Sequence, residues 1–179
     1  MGTENTEAVF QDALRGLQRG DFSRLEPLFI GEENLSPVPP QIIRWHQEGR
    51  FSDEQKALAE ALTCASFLGR IDVAEYLLAR GVDPSAGAGT GLDAFHWAAN
   101  RGQLKSVRLL LDRKAPLETR SMYGGTVLGT AVWSAINEPR PDHFQIIDEL
   151  LKAGARVSEV EYPTGNEQID AVLRRYRRQ

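Results

Sequence analysis

The chain has 179 residues, 41% of them hydrophobic and 26% charged, which is globular composition with length enough for one core. Its net charge of -4 excludes a surface built as a whole for nucleic acid or an anionic membrane, and no apolar run reaches the roughly 18 residues of a membrane span. The single cysteine, Cys64, excludes an internal disulfide and fits a reducing compartment, so a cytoplasmic location is expected.

The N-terminal run MGTENTEAVF has neither a basic region nor an apolar one, so it is not expected to be a secretory signal. Gly2 and Thr6 match a short acylation pattern, but Glu4 and Glu7 beside them would repel an anionic membrane. Residues 10–31 contain LQRGDFSRLEPLF, which reads as two helices broken at Gly20. Pro27 falls where the second helix should run, so that helix must start late or bend. Residues 32–55 form a connector. Its prolines oppose a regular helix at the start, and Ile42, Ile43 and Trp45 then suggest a short helix packed on the helices C-terminal to it.

Three similar segments come next, at 56–86, 87–119 and 120–159. Each has a stretch of small residues, a break, apolar residues at helical spacing, and a Leu-Leu pair ahead of a turn. Gly81 and Lys114 occupy the same place, 33 residues apart, and a period of this size marks a stacked array. In the third segment the insert INEPRPD, 136–142, lengthens the break. The middle copy predicts a first helix from about Asp93 to Asn100, a break at Gly102, and a second helix carrying Leu104, Val107, Leu110 and Leu111. The first copy gives these last roles to Ile71, Val73, Ala74, Leu77 and Leu78, after Gly69. One such pair is too small to bury its own apolar face, so neighbours must stack. Gly20 to Leu28 repeats the Gly69 to Leu77 spacing, making 10–31 a degenerate first copy. Residues 164–178 predict a closing helix, with a capping box from Thr164 to Glu167 and one face made of Ile169, Val172, Leu173 and Tyr176.

The run Gly91-Leu92-Asp93-Ala94-Phe95-His96, followed by Ala98-Ala99 and Gly102, resembles the ankyrin repeat, whose pattern is G-x-T-P-L-H-x-A-A-x-x-G. Asp93 stands for the Thr and keeps a helix-capping oxygen, whereas Ala94 gives up the pre-set turn of the Pro. LLARGVDPS and LLKAGARVS resemble the end of the same pattern, and Thr126-Val127-Leu128-Gly129 resembles its start without the His. The resemblance covers residues 56 to 158. It implies an all-α solenoid of helix-turn-helix units with short hairpins and capping helices, forming one domain over 1–179. By the same resemblance His96 is a structural group.

The remaining candidates for chemistry are weak. His46 and His143 fall in other units, and no pair of ligands has the spacing of a metal site, so no metal or cofactor is expected. Cys64 sits among apolar residues and reads as core rather than nucleophile. SAGAGTGLD lacks both the third glycine and the lysine of a phosphate loop, and reads as a hairpin. RRYRR, 174–178, suits a solvated helix C-terminus. The insert 136–142 is either neutral or a contact loop.

The resemblance implies a non-enzymatic module that binds a protein partner on a concave face. The positions expected there are Gly89, Thr90, Leu92, Asn100 and Arg101, then Met122, Tyr123, Trp133 and Ser134, with Lys56 and Phe67 from the first copy and Glu118 as a flanking charge. Tyr, Trp, Met and Arg are the residues most enriched in interfaces. The expected state is a monomer that binds neither nucleic acid nor membrane. A toxin-neutralising or effector-type regulator, a self-associating structural unit, and an enzyme using Cys64 or His96 are the alternatives. The insert or the closing helix, folded over Trp133, would remove the binding face.

Overall fold

A computed structural model describes residues 2–32 and 37–177, with side chains from residue 6 onward. The connector residues 33–36 and Arg178 of the basic cluster lie outside the described residues. Among the described residues ten α-helices follow one another: α1 (Gly2–Arg19), α2 (Phe22–Leu25), α3 (Gln41–Gln47), α4 (Gln55–Leu68), α5 (Ile71–Leu78), α6 (Ala94–Asn100), α7 (Leu104–Asp112), α8 (Val127–Asn137), α9 (His143–Lys152) and α10 (Glu167–Arg177). Short 3-10 turns lie at Glu26–Phe29 and Val157–Glu159. No strand occurs among the described residues; the one β-bridge joins Glu32 to Val38.

The helices form two rows. In the first row α1 packs on α4, α4 on α6, and α6 on α8. In the second row α5 packs on α7 and α7 on α9, while α4–α5, α6–α7 and α8–α9 join the rows. Small residues allow the close approach of the first row. Ala57, Ala61, Ala65, Ala94, Ala98, Ala99 and Ala131 are all fully buried, so each helix backbone can approach its neighbour without side chains holding it off. The second row supplies the larger apolar groups, among them Val73, Leu77, Val107, Leu110, Ile146 and Leu150. The core runs in two contiguous blocks, one from α1 to α5 together with Ala94 of α6 and one from α6 to α10, and Leu78 packs against both.

The 33-residue register holds in the backbone. Gly81 takes a φ of +79° after α5, and Lys114 takes +55° at the same place after α7. A lysine held there carries a steric cost that glycine avoids, of about 1 kcal/mol. The N-terminal residues form a helix pair, α1 and α2, but α1 is much longer than a repeat helix and begins well before residue 10. Pro27 does end regular helix: α2 stops after one turn, and the chain tightens into the Glu26–Phe29 turn with Pro27 at its start. Helix α3 forms as expected and packs on that turn and on α5.

The closing helix departs from its expected cap. Asn166, not Thr164, caps α10, its Oδ1 accepting from the backbone N–H groups of Gln168 (3.1 Å) and Ile169 (3.2 Å). Thr164 instead donates its hydroxyl to Asp170 Oδ1 at 2.7 Å, which fastens the preceding loop to the helix. Once Asn166 is in place, the Thr164-to-Glu167 spacing is two positions out of register for a capping box.

Candidate binding face

Two hairpin-like loops carry one edge of the first row. Residues 82–93 precede α6, and residues 115–126 precede α8. They are joined through their backbones, Met122 N–H donating to the Gly91 carbonyl at 2.8 Å. Gly91 has a φ of +86°, and a Cβ there would overlap the Met122 side chain. Glycine therefore lets the second loop lie against the first.

Asp93 is the centre of this edge. Its Oδ1 accepts from the N–H groups of Phe95 and His96, both at 3.0 Å, and so caps α6. The same oxygen lies 2.8 Å from His96 Nδ1, and Thr119 donates to Oδ2 at 2.8 Å. His96 Nε2 lies 3.1 Å from the Gly125 carbonyl. Burial pushes the Asp93 carboxyl up, but its hydrogen bonds from His96 and Thr119 outweigh this and hold it below the usual range. His96 is thus a fully buried strut between α6 and the next loop. The copy before uses other chemistry at the same register: Thr63 donates to the Gly87 carbonyl at 2.7 Å, and Glu60 Oε1 accepts from Gly89 N–H at 2.6 Å. Burial raises the Glu60 carboxyl, against the pull of that hydrogen bond. Glu60 and Thr63 stand 33 residues before Asp93 and His96, at the start of the first copy.

Between the loops and α8 lies a pocket of about 600 Å³, lined by Leu92, Asn100, Ser121, Tyr123, Gly125, Gly129, Thr130 and Trp133. Gly129 stands where the middle copy has His96, and its lack of a side chain keeps this wall low. Tyr123 is 81% exposed, Met122 69% and Trp133 53%. Neither the insert nor α10 covers them, since α10 packs on α9 and on the Val157–Glu159 turn.

Other expected positions differ. Leu92, expected on the surface, is only 9% exposed, and it contributes to the pocket wall from within the core. Ser134 is fully buried and accepts a hydrogen bond from Asn100 Nδ2 at 2.8 Å, so Asn100 is turned toward α8. Thr90 accepts from Trp97 Nε1 at 2.9 Å, which ties its loop to α6; Trp97 in turn meets Phe67 edge-on at 5.1 Å. Arg101 lies over the Phe67 ring at 4.7 Å. Gly89 and Lys56 are exposed. Glu118 is engaged within the chain, accepting from the Arg156 backbone N–H at 2.9 Å.

The insert folds back onto the middle copy. His143 is fully buried. Its Nδ1 accepts from Arg140 N–H at 3.1 Å, and its Nε2 lies 3.0 Å from the Asn100 carbonyl. One acceptor and one donor are the pattern of a neutral ring. Burial lowers the His143 pKa below its ordinary value of 6.5, outweighing the hydrogen bonds to the Asn100 and Ala99 carbonyls. His46, 3.0 Å from the Tyr76 hydroxyl, is lowered too, by burial and then by Arg80. In each case the unfolded chain binds a proton more readily than the folded one. Stability is therefore complete above pH 6.5 and falls as pH drops through that value toward the folded pKa. Urea midpoints are expected to fall between pH 7 and pH 5.5, and His143→Gln should remove part of that slope. An unchanged slope in the variant would show that this ring does not titrate with folding.

Cys64 is buried, and burial together with the nearby Glu26 and Glu60 charges holds its thiol well above the ordinary range. This setting disfavours the thiolate a nucleophile needs. Among the described residues, no group of three His, Cys, Asp or Glu side chains is placed to hold a metal ion. No helix there is long and apolar enough to cross a membrane.

A protein-family model described as ankyrin repeats, in three copies, matches residues 62–160. No curated protein matches the chain.

Proposed function

The chain belongs to the ankyrin-repeat family, and on that premise we propose that it is a non-enzymatic module holding a protein partner against the face formed by the 82–93 and 115–126 loops and helices α6 and α8. Ankyrin repeats are generally protein–protein interaction modules, and the family is typically non-enzymatic. The observation that carries the reading is the pair of exposed rings Tyr123 and Trp133 lining an apolar pocket, with exposed Met122 next to Tyr123 in the chain. Large apolar groups are normally covered, and a contiguous exposed set marks a contact surface. The hydrogen bonds through Asp93, His96 and Thr90 hold the loops before any partner arrives, which lowers the ordering cost of binding. Thr90, Leu92, Asn100 and Arg101 frame the contact, the first three mainly by positioning their neighbours. The module acts as a monomer in a reducing compartment such as the cytoplasm, without cofactor or metal.

The test is affinity capture from source lysate, with wild type beside a Tyr123→Ala/Trp133→Ala variant. Aromatic anchors of this kind contribute about 2 kcal/mol or more each when truncated, so the double variant should bind roughly a thousandfold more weakly. Both side chains are exposed, so its urea midpoint should barely move. A partner retained equally by both proteins would place the binding surface elsewhere.

A further inference from the structure

We infer that the groove takes a peptide segment in which an apolar or aromatic side chain, seated between Trp133 and Tyr123, is followed closely by an acidic residue held by Arg101 and Arg140. This rests on the binding face proposed above and gives the partner a chemistry. The apolar half follows from the pocket, whose larger walls are Leu92, Tyr123 and Trp133.

The acidic half follows from the other end of the same helices. Arg101 is the C-terminal cap of α6, next to pocket residue Asn100. Arg140 lies against the same helix end, its Cβ and Cδ 3.0 and 3.1 Å from where a Cβ on Gly102 would stand. Among the described residues neither arginine makes an ion pair, whereas Arg24, Arg50, Arg108, Arg120 and Arg156 all do. Arg101 Nε is buried and has no acceptor among the described residues. Burial first, and then repulsion from Arg140, disfavours the Arg101 charge; Glu138 opposes this without forming an ion pair. An incoming carboxylate would relieve that repulsion and accept from a fixed fork of donors. Two arginines on a chain of net charge -4 suit one carboxylate better than the phosphate ladder of a nucleic acid.

The experiment is selection of a phage-displayed random peptide library on the immobilised full chain. Wild type is expected to enrich peptides with a large apolar residue close to Asp or Glu. An Arg101→Gln/Arg140→Gln variant should keep the apolar preference and lose the acidic one. With a selected peptide measured by fluorescence anisotropy, changing its acid to the amide should weaken wild-type binding about tenfold and leave the double variant almost unchanged. Arg140 is exposed, so Arg140→Gln alone keeps the test valid if the double variant fails to fold; it should show a smaller drop of about threefold. No enrichment, enrichment without acidic preference, or an acidic preference that survives in the variants would overturn the inference. Equal competition by single-stranded RNA would overturn the assignment to a peptide. Peptides whose binding survives Trp133→Ala would instead overturn the binding face itself, so the two failures are distinguishable.

Discussion

Asp93→Ala is expected to cost about 3–5 kcal/mol of folding free energy. One carboxylate caps α6 through two backbone N–H groups, meets His96 Nδ1, and accepts from Thr119 in the following loop. Removing it leaves buried donors without partners, and that loss exceeds the worth of the bonds themselves. The comparison is Thr126→Ala. Thr126 caps α8 at the same register, with one hydrogen bond, from Gly129 N–H at 3.2 Å, and its loss should cost about 1 kcal/mol. Asp93→Asn, which retains a capping oxygen, should fall between the two. Urea unfolding of the three variants measures all of this. If Asp93→Ala were no worse than Thr126→Ala, the bonds to His96 and Thr119 would add nothing to the cap. The effect should also reach the binding face, because Thr119 and Gly125 belong to the loop that presents Met122 and Tyr123.

Trp45→Ala should be comparably damaging, at about 3–5 kcal/mol. The ring is 1% exposed and meets Phe10 edge-on at 5.1 Å, and Phe10 meets Phe51 at 5.2 Å. This aromatic group joins α1, α3 and the segment before α4, so it holds the N-terminal helices to the array. In a stack each unit is stabilised mainly by its neighbours. The Ala variant is therefore expected to lose its N-terminal part first, as an early transition in urea and as early protease cleavage before residue 55. Trp45→Phe should cost only about 1–2 kcal/mol, because the indole N–H is buried without an acceptor among the described residues and nothing is lost with it. A single transition in the Ala variant, shifted by less than 1 kcal/mol, would show that this contact does not hold the end of the stack.

The repeat itself was legible because its signals are local. Helical spacing of Leu104, Val107, Leu110 and Leu111, a capping oxygen at Asp93 and a turn at Gly102 each act within a few residues, and α6 and α7 lie where those signals put them. The structural role of His96 was implied by the resemblance to the ankyrin repeat. Exposure was less legible. Leu92 and Ser134 were expected to face outward by the resemblance, yet both are buried, and Ser134 accepts from Asn100 of the neighbouring helix, a contact between residues 34 positions apart that no local signal names.

By itself, the sequence determined the period, the helices and the stacking, since a helix pair with one apolar stripe has no stable state until a neighbour covers it. Only the tertiary structure decided that Trp133 stays uncovered, that His143 anchors the insert to Asn100, and that Arg140 comes to lie beside Arg101. Those juxtapositions join residues about 40 positions apart through packing whose partners no short-range pattern names.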